Sequence, residues 1–229
     1  MPVPPASSGE RAAAHAEEPA HAHQQPHHEE DNGRSVDFLF IQAEGGYSTI
    51  NLTGLSSNGH ILPTLREMQQ NGYGGGATIG FRTWIFAVAA HGYISRFPGV
   101  TSGSQAFDLG QVMLEGQIRL PVPLIEPYIR VGLGYAWLGE FQINTMYMDS
   151  TSTVQGFTAK AGAGADLWIG KYFTVGIGAD FAVMNLRRDG VMREGSVCPD
   201  TDPTCIELRQ DGDAVGWLLT VHAQVGLHF

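Results

Sequence analysis

The sequence predicts an all-β fold: an eight-stranded antiparallel up-and-down transmembrane β-barrel preceded by a disordered tail. Three observations carry that expectation. Apolar residues recur at a spacing of two through eight separate stretches, and successive side chains of a strand point to opposite faces. The final stretch, "AVGWLLTVHAQVGLHF", keeps this alternation over sixteen residues and ends on Phe229. That exceeds the usual 5–6 residues of a soluble strand and suits the roughly 9–11 tilted residues needed to cross a bilayer. The connections alternate between short and long, the asymmetry of membrane barrels.

Composition agrees. Only 16% of the 229 residues are charged, against roughly 25% in ordinary soluble domains, and 30 are glycine. No run of about 18 apolar residues exists, so a transmembrane helix is not expected. A net charge of −10 argues against a nucleic-acid partner, which needs a basic surface.

Residues 1–35 form a separate block rich in Ala, Pro, Glu and His, with almost no large apolar residue and no apolar core of a secretory signal. Such a segment buries too little surface to offset its ordering entropy, so a disordered tail on the turn side of the barrel is expected. Its histidines, among them His21, His23, His27 and His28, are candidates for low-affinity metal binding beside nearby carboxylates. The barrel is expected over residues 36–229.

The first strand is "DFLFIQAEGGYST", with Leu39, Ile41, Ala43 and Tyr47 opposite Gln42, Glu44 and Ser48. The second, "GGATIGFR", sets Ile79 and Phe81 against Thr78 and Arg82. A very short turn near Thr83 leads into "WIFAVAAHGYIS", where Trp84, Phe86 and Val88 oppose His91, Tyr93 and Ser95. The fourth, "DLGQVMLEGQIRL", sets Val112, Leu114 and Ile118 against Gln111, Glu115, Gln117 and Arg119. After the proline turn "PVPLIEP" the fifth, "YIRVGLGYAWL", opposes Ile129, Val131, Tyr135 and Trp137 to Arg130 and two glycines. The sixth, "GFTAKAGAGADLWI", opposes Phe157 and a run of alanines to Thr158, Lys160 and Asp166. A "GK" turn gives the seventh, "YFTVGIGADFAVM", with Phe173, Val175 and Phe181 opposite Asp180. The eighth carries Trp217 and Phe229 on its apolar row and His222 on the other. Long loops are expected at Leu52–Gly72, Arg96–Gln105, Gly139–Val154 and Asn185–Asp213.

One row of each strand is apolar, with aromatics near the strand ends: Tyr47, Trp84, Phe86, Trp137, Phe173, Trp217 and Phe229. That row faces lipid, with the aromatics at its interfaces. The other row, glycine and polar residues, fills a narrow lumen. The last strand pairs with the first and leaves no edge.

At this point the chain resembles the small outer-membrane β-barrels of Gram-negative bacteria, of the OmpA-transmembrane-domain and OmpX type. The resemblance rests on "LEGQIRLPVPLIEPYIRVGLGYAW" and the terminal "VGLHF". It implies an outer-membrane location, lipid and lipopolysaccharide as surroundings, and the assembly machinery as a partner through the C-terminal strand. The family spans tethers, surface proteins, lipid-modifying enzymes and small pores.

The lumen row contains Glu44, Glu115, Asp166 and Asp180 against Arg82, Arg119, Arg130 and Lys160, four of each sign. An eight-stranded barrel is just wide enough to be filled by its own side chains, and buried charges need partners. A charge-paired plug is therefore expected, with Lys160 as central cation and His91 or His222 as auxiliary donors. Cys198 and Cys205 in "CPDTDPTC" are spaced for a small-loop disulfide rather than zinc. His91 and Ser95 lie roughly 13 Å apart along one strand and cannot form a nucleophile pair. The reading is a monomeric, non-enzymatic barrel without a cofactor, structural or surface-interacting. An envelope-lipid-modifying enzyme and a narrow pore are the alternatives.

Overall fold

The computed structural model describes residues 39–52, 70–98, 106–144, 149–188, 201 and 211–229. Cys198, Cys205 and the histidines of residues 1–35 lie outside them. The strands are β1 (Leu39–Leu52), β2 (Asn71–Thr83), β3 (Phe86–Phe97), β4 (Phe107–Arg119), β5 (Ile125–Asn144), β6 (Asp149–Ile169), β7 (Phe173–Arg188) and β8 (Gly212–His228). Each pairs antiparallel with its sequence neighbour, and β8 pairs with β1 to close the barrel. The seam is finished at the chain's last residue, where Phe229 N donates to Leu39 O at 2.8 Å.

Cross-strand partners fix the barrel's geometry. From Ile41 the path runs through Ile79, Ala90, Leu114, Leu133, Ala159, Val183 and Trp217 and returns to β1 at Asn51. It has climbed from residue 41 to residue 51, a shear of ten over eight strands, which corresponds to a strand tilt of about 40°.

The outer row is apolar and exposed over the middle of every strand: Ile79 and Phe81, Val88 and Ile94, Leu114, Val131 and Leu133, Ile177, Val221 and Val225. So wide an apolar surface on a closed sheet is stable only in lipid. Among the described residues no helix is long and apolar enough to cross a membrane.

Several boundaries differ from the sequence reading. Trp84 belongs to the β2–β3 turn rather than to a strand, and adopts a positive φ of 52° while its ring stays exposed. The β5–β6 hairpin continues to Asn144 and Asp149 across a register shift between Leu138 and Phe141, through a stretch expected as loop. The β7–β8 ladder likewise persists to Arg188 and Gly212. Above the lipid the outer row is no longer apolar, so alternation stops marking strands while backbone pairing goes on.

Candidate functional site: the barrel lumen

The inward row is stratified. Nearest the short turns lies an ionic layer drawn from five strands. Arg82 of β2 meets Glu126 of β5 at 2.8 Å, and Arg119 of β4 reaches both Glu126 at 3.2 Å and Asp166 of β6 at 2.7 Å. Gln224 of β8 donates to Asp166 at 2.6 Å, and Trp168 donates to Glu126 at 3.2 Å. Two cations and two carboxylates balance here. The layer is floored by rings: His228 stacks on Phe40 at 5.9 Å and meets Trp168 in a tilted contact at 4.6 Å.

At mid-height a second layer joins every strand except β2. Arg130 of β5 touches three carboxylates: Asp180 of β7 through Nε at 2.8 Å and through Nη2, Glu44 of β1 at 3.4 Å, and Glu115 of β4 at 3.8 Å. Lys160 of β6 reaches Glu115 at 2.5 Å and Asp180 at 3.6 Å. His91 of β3 lies between Glu44, at 2.7 Å from Nε2, and Glu115, at 3.0 Å from Nδ1. His222 of β8 takes a hydrogen bond from Arg130 at 3.0 Å. The central cation is therefore Arg130, not Lys160 as expected. A guanidinium presents five donors in a planar fork and can serve three acids at once, which an ammonium on a flexible stem does less well.

Gln117 couples the layers, accepting from Arg119 at 2.9 Å and donating to Glu115 at 3.3 Å. The Tyr128 ring stands between them, with the Arg119 guanidinium 4.9 Å and the Arg130 guanidinium 5.9 Å from its centroid. Room for these groups comes from glycine. Gly162 and Gly176 pair with Asp180 and Asp166 respectively, and a Cβ on either glycine would run into the carboxylate facing it. The segments "GAGAD" (residues 162–166) and "GIGAD" (residues 176–180) are one pattern used twice, paired antiparallel.

Above the charges come hydroxyls. Ser48 bonds Thr220 at 2.9 Å and Ser95 at 3.2 Å. His91 is held by carboxylates and Ser95 by Ser48, so these two form no catalytic pair. Higher still the lumen turns apolar: Ile50, Phe97, Phe107, Leu109, Leu138, Val154, Met184, Leu186 and Leu218 are all buried together. Phe97 and Phe107 stack at 4.7 Å. The sequence reading placed a polar row along the whole interior, and this layer corrects it. At the same level the outer row is polar, for Arg96, Asp108 and Arg187 are exposed beside buried Phe97, Phe107 and Leu186. The facing inverts where the wall leaves lipid for water.

Every charged residue expected in the lumen is buried there, and two more join them: Glu126 and Arg188. Both fell outside the strands drawn from sequence, although each lies an even number of positions from a lumen residue on its own strand. The described lumen thus holds Glu44, Glu115, Glu126, Asp166 and Asp180 against Arg82, Arg119, Arg130, Lys160 and Arg188, five of each sign. Of the aromatics, Tyr47, Trp84, Phe86, Phe173 and Phe229 are exposed. Trp137 is half-buried, its ring covering Gly110 on the adjoining strand, and Trp217 is half-buried against Phe181 at 6.1 Å. Among the described residues no group of His, Cys, Asp and Glu is arranged to hold a metal.

No family model matches the sequence, and no curated protein does. Solved structures do. Neisserial surface protein A superposes with a TM-score of 0.52 at 12% identity, over 83% of this chain and 97% of that one. The outer membrane protein OprG from Pseudomonas aeruginosa gives 0.52 at 11% identity, over 86% and 99%. With its lipid-facing wall and closed eight-strand sheet, the chain has the fold of the small outer-membrane β-barrels.

Proposed function

We propose that this outer-membrane barrel is a closed, non-enzymatic wall protein, structural or surface-interacting, that works through what its loop side presents rather than through its lumen. The observation that carries the reading is the layered interior. Side chains that pair all around the barrel fill the lumen at two levels, and a buried apolar layer lies between them and the loop side. An ion crossing it would have to part buried ion pairs and then enter a dry apolar layer, both strongly unfavourable.

Lipid and lipopolysaccharide surround the wall in this reading, and the terminal strand is read by the assembly machinery. Loops held on a rigid barrel are where recognition resides. Exposed polar residues on the outer face near the loop side, Arg96 and Arg187 among them, stand at the level where lipid headgroups begin.

The test is a pair of measurements on cells and vesicles. Envelope lipids extracted from cells with and without the protein are expected to have the same acylation and headgroup pattern, which a lipid-modifying enzyme would change. Liposomes carrying the refolded full chain are expected to swell in small sugars no faster than empty ones. Rapid swelling would establish a pore instead.

A further inference from the structure

The mid-height layer is not neutral by its permanent charges. It holds three carboxylates, Glu44, Glu115 and Asp180, and two permanent cations, Arg130 and Lys160. The turn-side layer balances on its own, Arg82 and Arg119 against Glu126 and Asp166. Arg188, the fifth lumen cation, pairs in register with Val154 of the apolar layer, eight residues along β7 from Asp180 and next to buried Leu186 on the inward row. One negative charge would remain at the centre of the barrel, where an uncompensated charge is very unfavourable.

His91 is placed to close that count. Its ring is buried: Nε2 hydrogen-bonds Glu44 Oε1 at 2.7 Å, while Nδ1 stands at ion-pair distance, 3.0 Å, from Glu115 Oε1, a buried oxygen with no aligned hydrogen bond of its own. Carboxylates accept and do not donate, so serving Glu44 and supplying the donor that Glu115 Oε1 lacks takes a proton on each nitrogen. Lys160 Nζ also stands 3.0 Å from Nδ1. A ring without the second proton would accept there from Lys160 instead, leaving Glu115 Oε1 to the Lys160 ion pair at 2.5 Å. The other groups facing His91 are fixed. Thr78 of β2, its register partner, does not titrate. Arg130 of β5 and Asp180 of β7 are paired with each other, and the Tyr93 ring stands 6.1 Å away on the same strand. His222 of β8 accepts from Arg130 through Nε2, which leaves that nitrogen no proton.

We propose that His91 is the third cation of the lumen: a proton-dependent lock whose imidazolium bridges Glu44 on β1 to Glu115 on β4. Releasing one proton to solvent hands Nδ1 to Lys160, breaks the bridge to Glu115 and leaves the layer one charge negative. The lock does not depend on the barrel's role, so a conducting barrel and a failed lock are separate results.

The experiment uses the full chain refolded in neutral detergent with 15N-labelled histidine. At about pH 8 free histidine is neutral. The expected spectrum shows one buried ring with both nitrogens protonated, absent in His91→Gln. Refolding in weak buffer with a pH indicator is expected to take up about one proton per chain. Should His91→Gln fail to fold, the wild-type uptake still decides. A neutral His91 ring, a protonated His222 in its place, or no proton uptake would overturn the proposal.

Discussion

Arg82 and Glu126 meet end to end inside the barrel, Nη1 to Oε1 at 2.8 Å and Nη2 to Oε2 at 3.0 Å. The two residues sit on β2 and β5, which are not neighbours in the sheet, so the pair spans the interior. Glu126→Gln removes the charge while Arg82 and Arg119 stay buried. The expected loss is about 3–5 kcal/mol, the range for breaking a buried pair by one partner. Urea unfolding of the refolded barrel checks it, and adding Arg82→Met is expected to recover part of the loss.

The three contacts of Arg130 rank it above Lys160. Arg130→Met leaves Glu44, Glu115 and Asp180 without their shared partner, whereas Lys160→Met leaves Arg130 in place. We expect Arg130→Met to destabilise the barrel by several kcal/mol and by more than Lys160→Met. Paired unfolding curves in one detergent decide the order. Equal losses would mean that the acids share their cations loosely.

Glycine in the lumen makes a prediction of its own. A Cβ on Gly178 would lie 2.6 Å from both Tyr128 Oη and His222 Nε2. Gly178→Val is expected to cost about 1–3 kcal/mol by overpacking, whereas Gly116→Val, on the open outer face, is expected to be well tolerated. Folding yield and unfolding midpoint of the two variants separate these outcomes.

Facing is tested at mid-wall. Val131 is exposed on the outer row of β5, one residue from buried Arg130. Val131→Arg is expected to cost up to about 2–4 kcal/mol in a lipid bilayer and far less in a detergent micelle. The same small cost in both media would place Val131 away from lipid.

Much of this was legible because alternation has a cause. Where lipid lies outside and polar side chains fill the inside, each strand has to alternate, so the strand count, the seam at Phe229 and the lumen charges from Glu44 to Asp180 can be read directly. Legibility ended where the wall left the lipid. Ile50, Phe97, Phe107 and Val154 stand just past the strand ends that alternation marks, so only part of the apolar layer, with Leu109, Leu138, Met184 and Leu218, lies within strands visible in the sequence. Glu126 was hidden for a related reason. The proline-rich "PVPLIEP" reads as a turn throughout, yet β5 begins at Ile125, and even spacing from Tyr128 and Arg130 turns Glu126 inward. The central place of Arg130 was not legible, because it depends on which side chains meet across the axis and spacing along a strand carries no such information.

A closed lumen is the centre of the account, and single-channel recording tests it most directly. The full chain, refolded and inserted into a planar bilayer in concentrated potassium chloride, is expected to give no discrete conductance steps. The double variant Glu126→Gln, Arg130→Met, which opens both ionic layers, is expected to stay silent as well while the apolar layer around Phe97 and Phe107 persists. Regular ohmic openings from the wild-type chain would contradict the account.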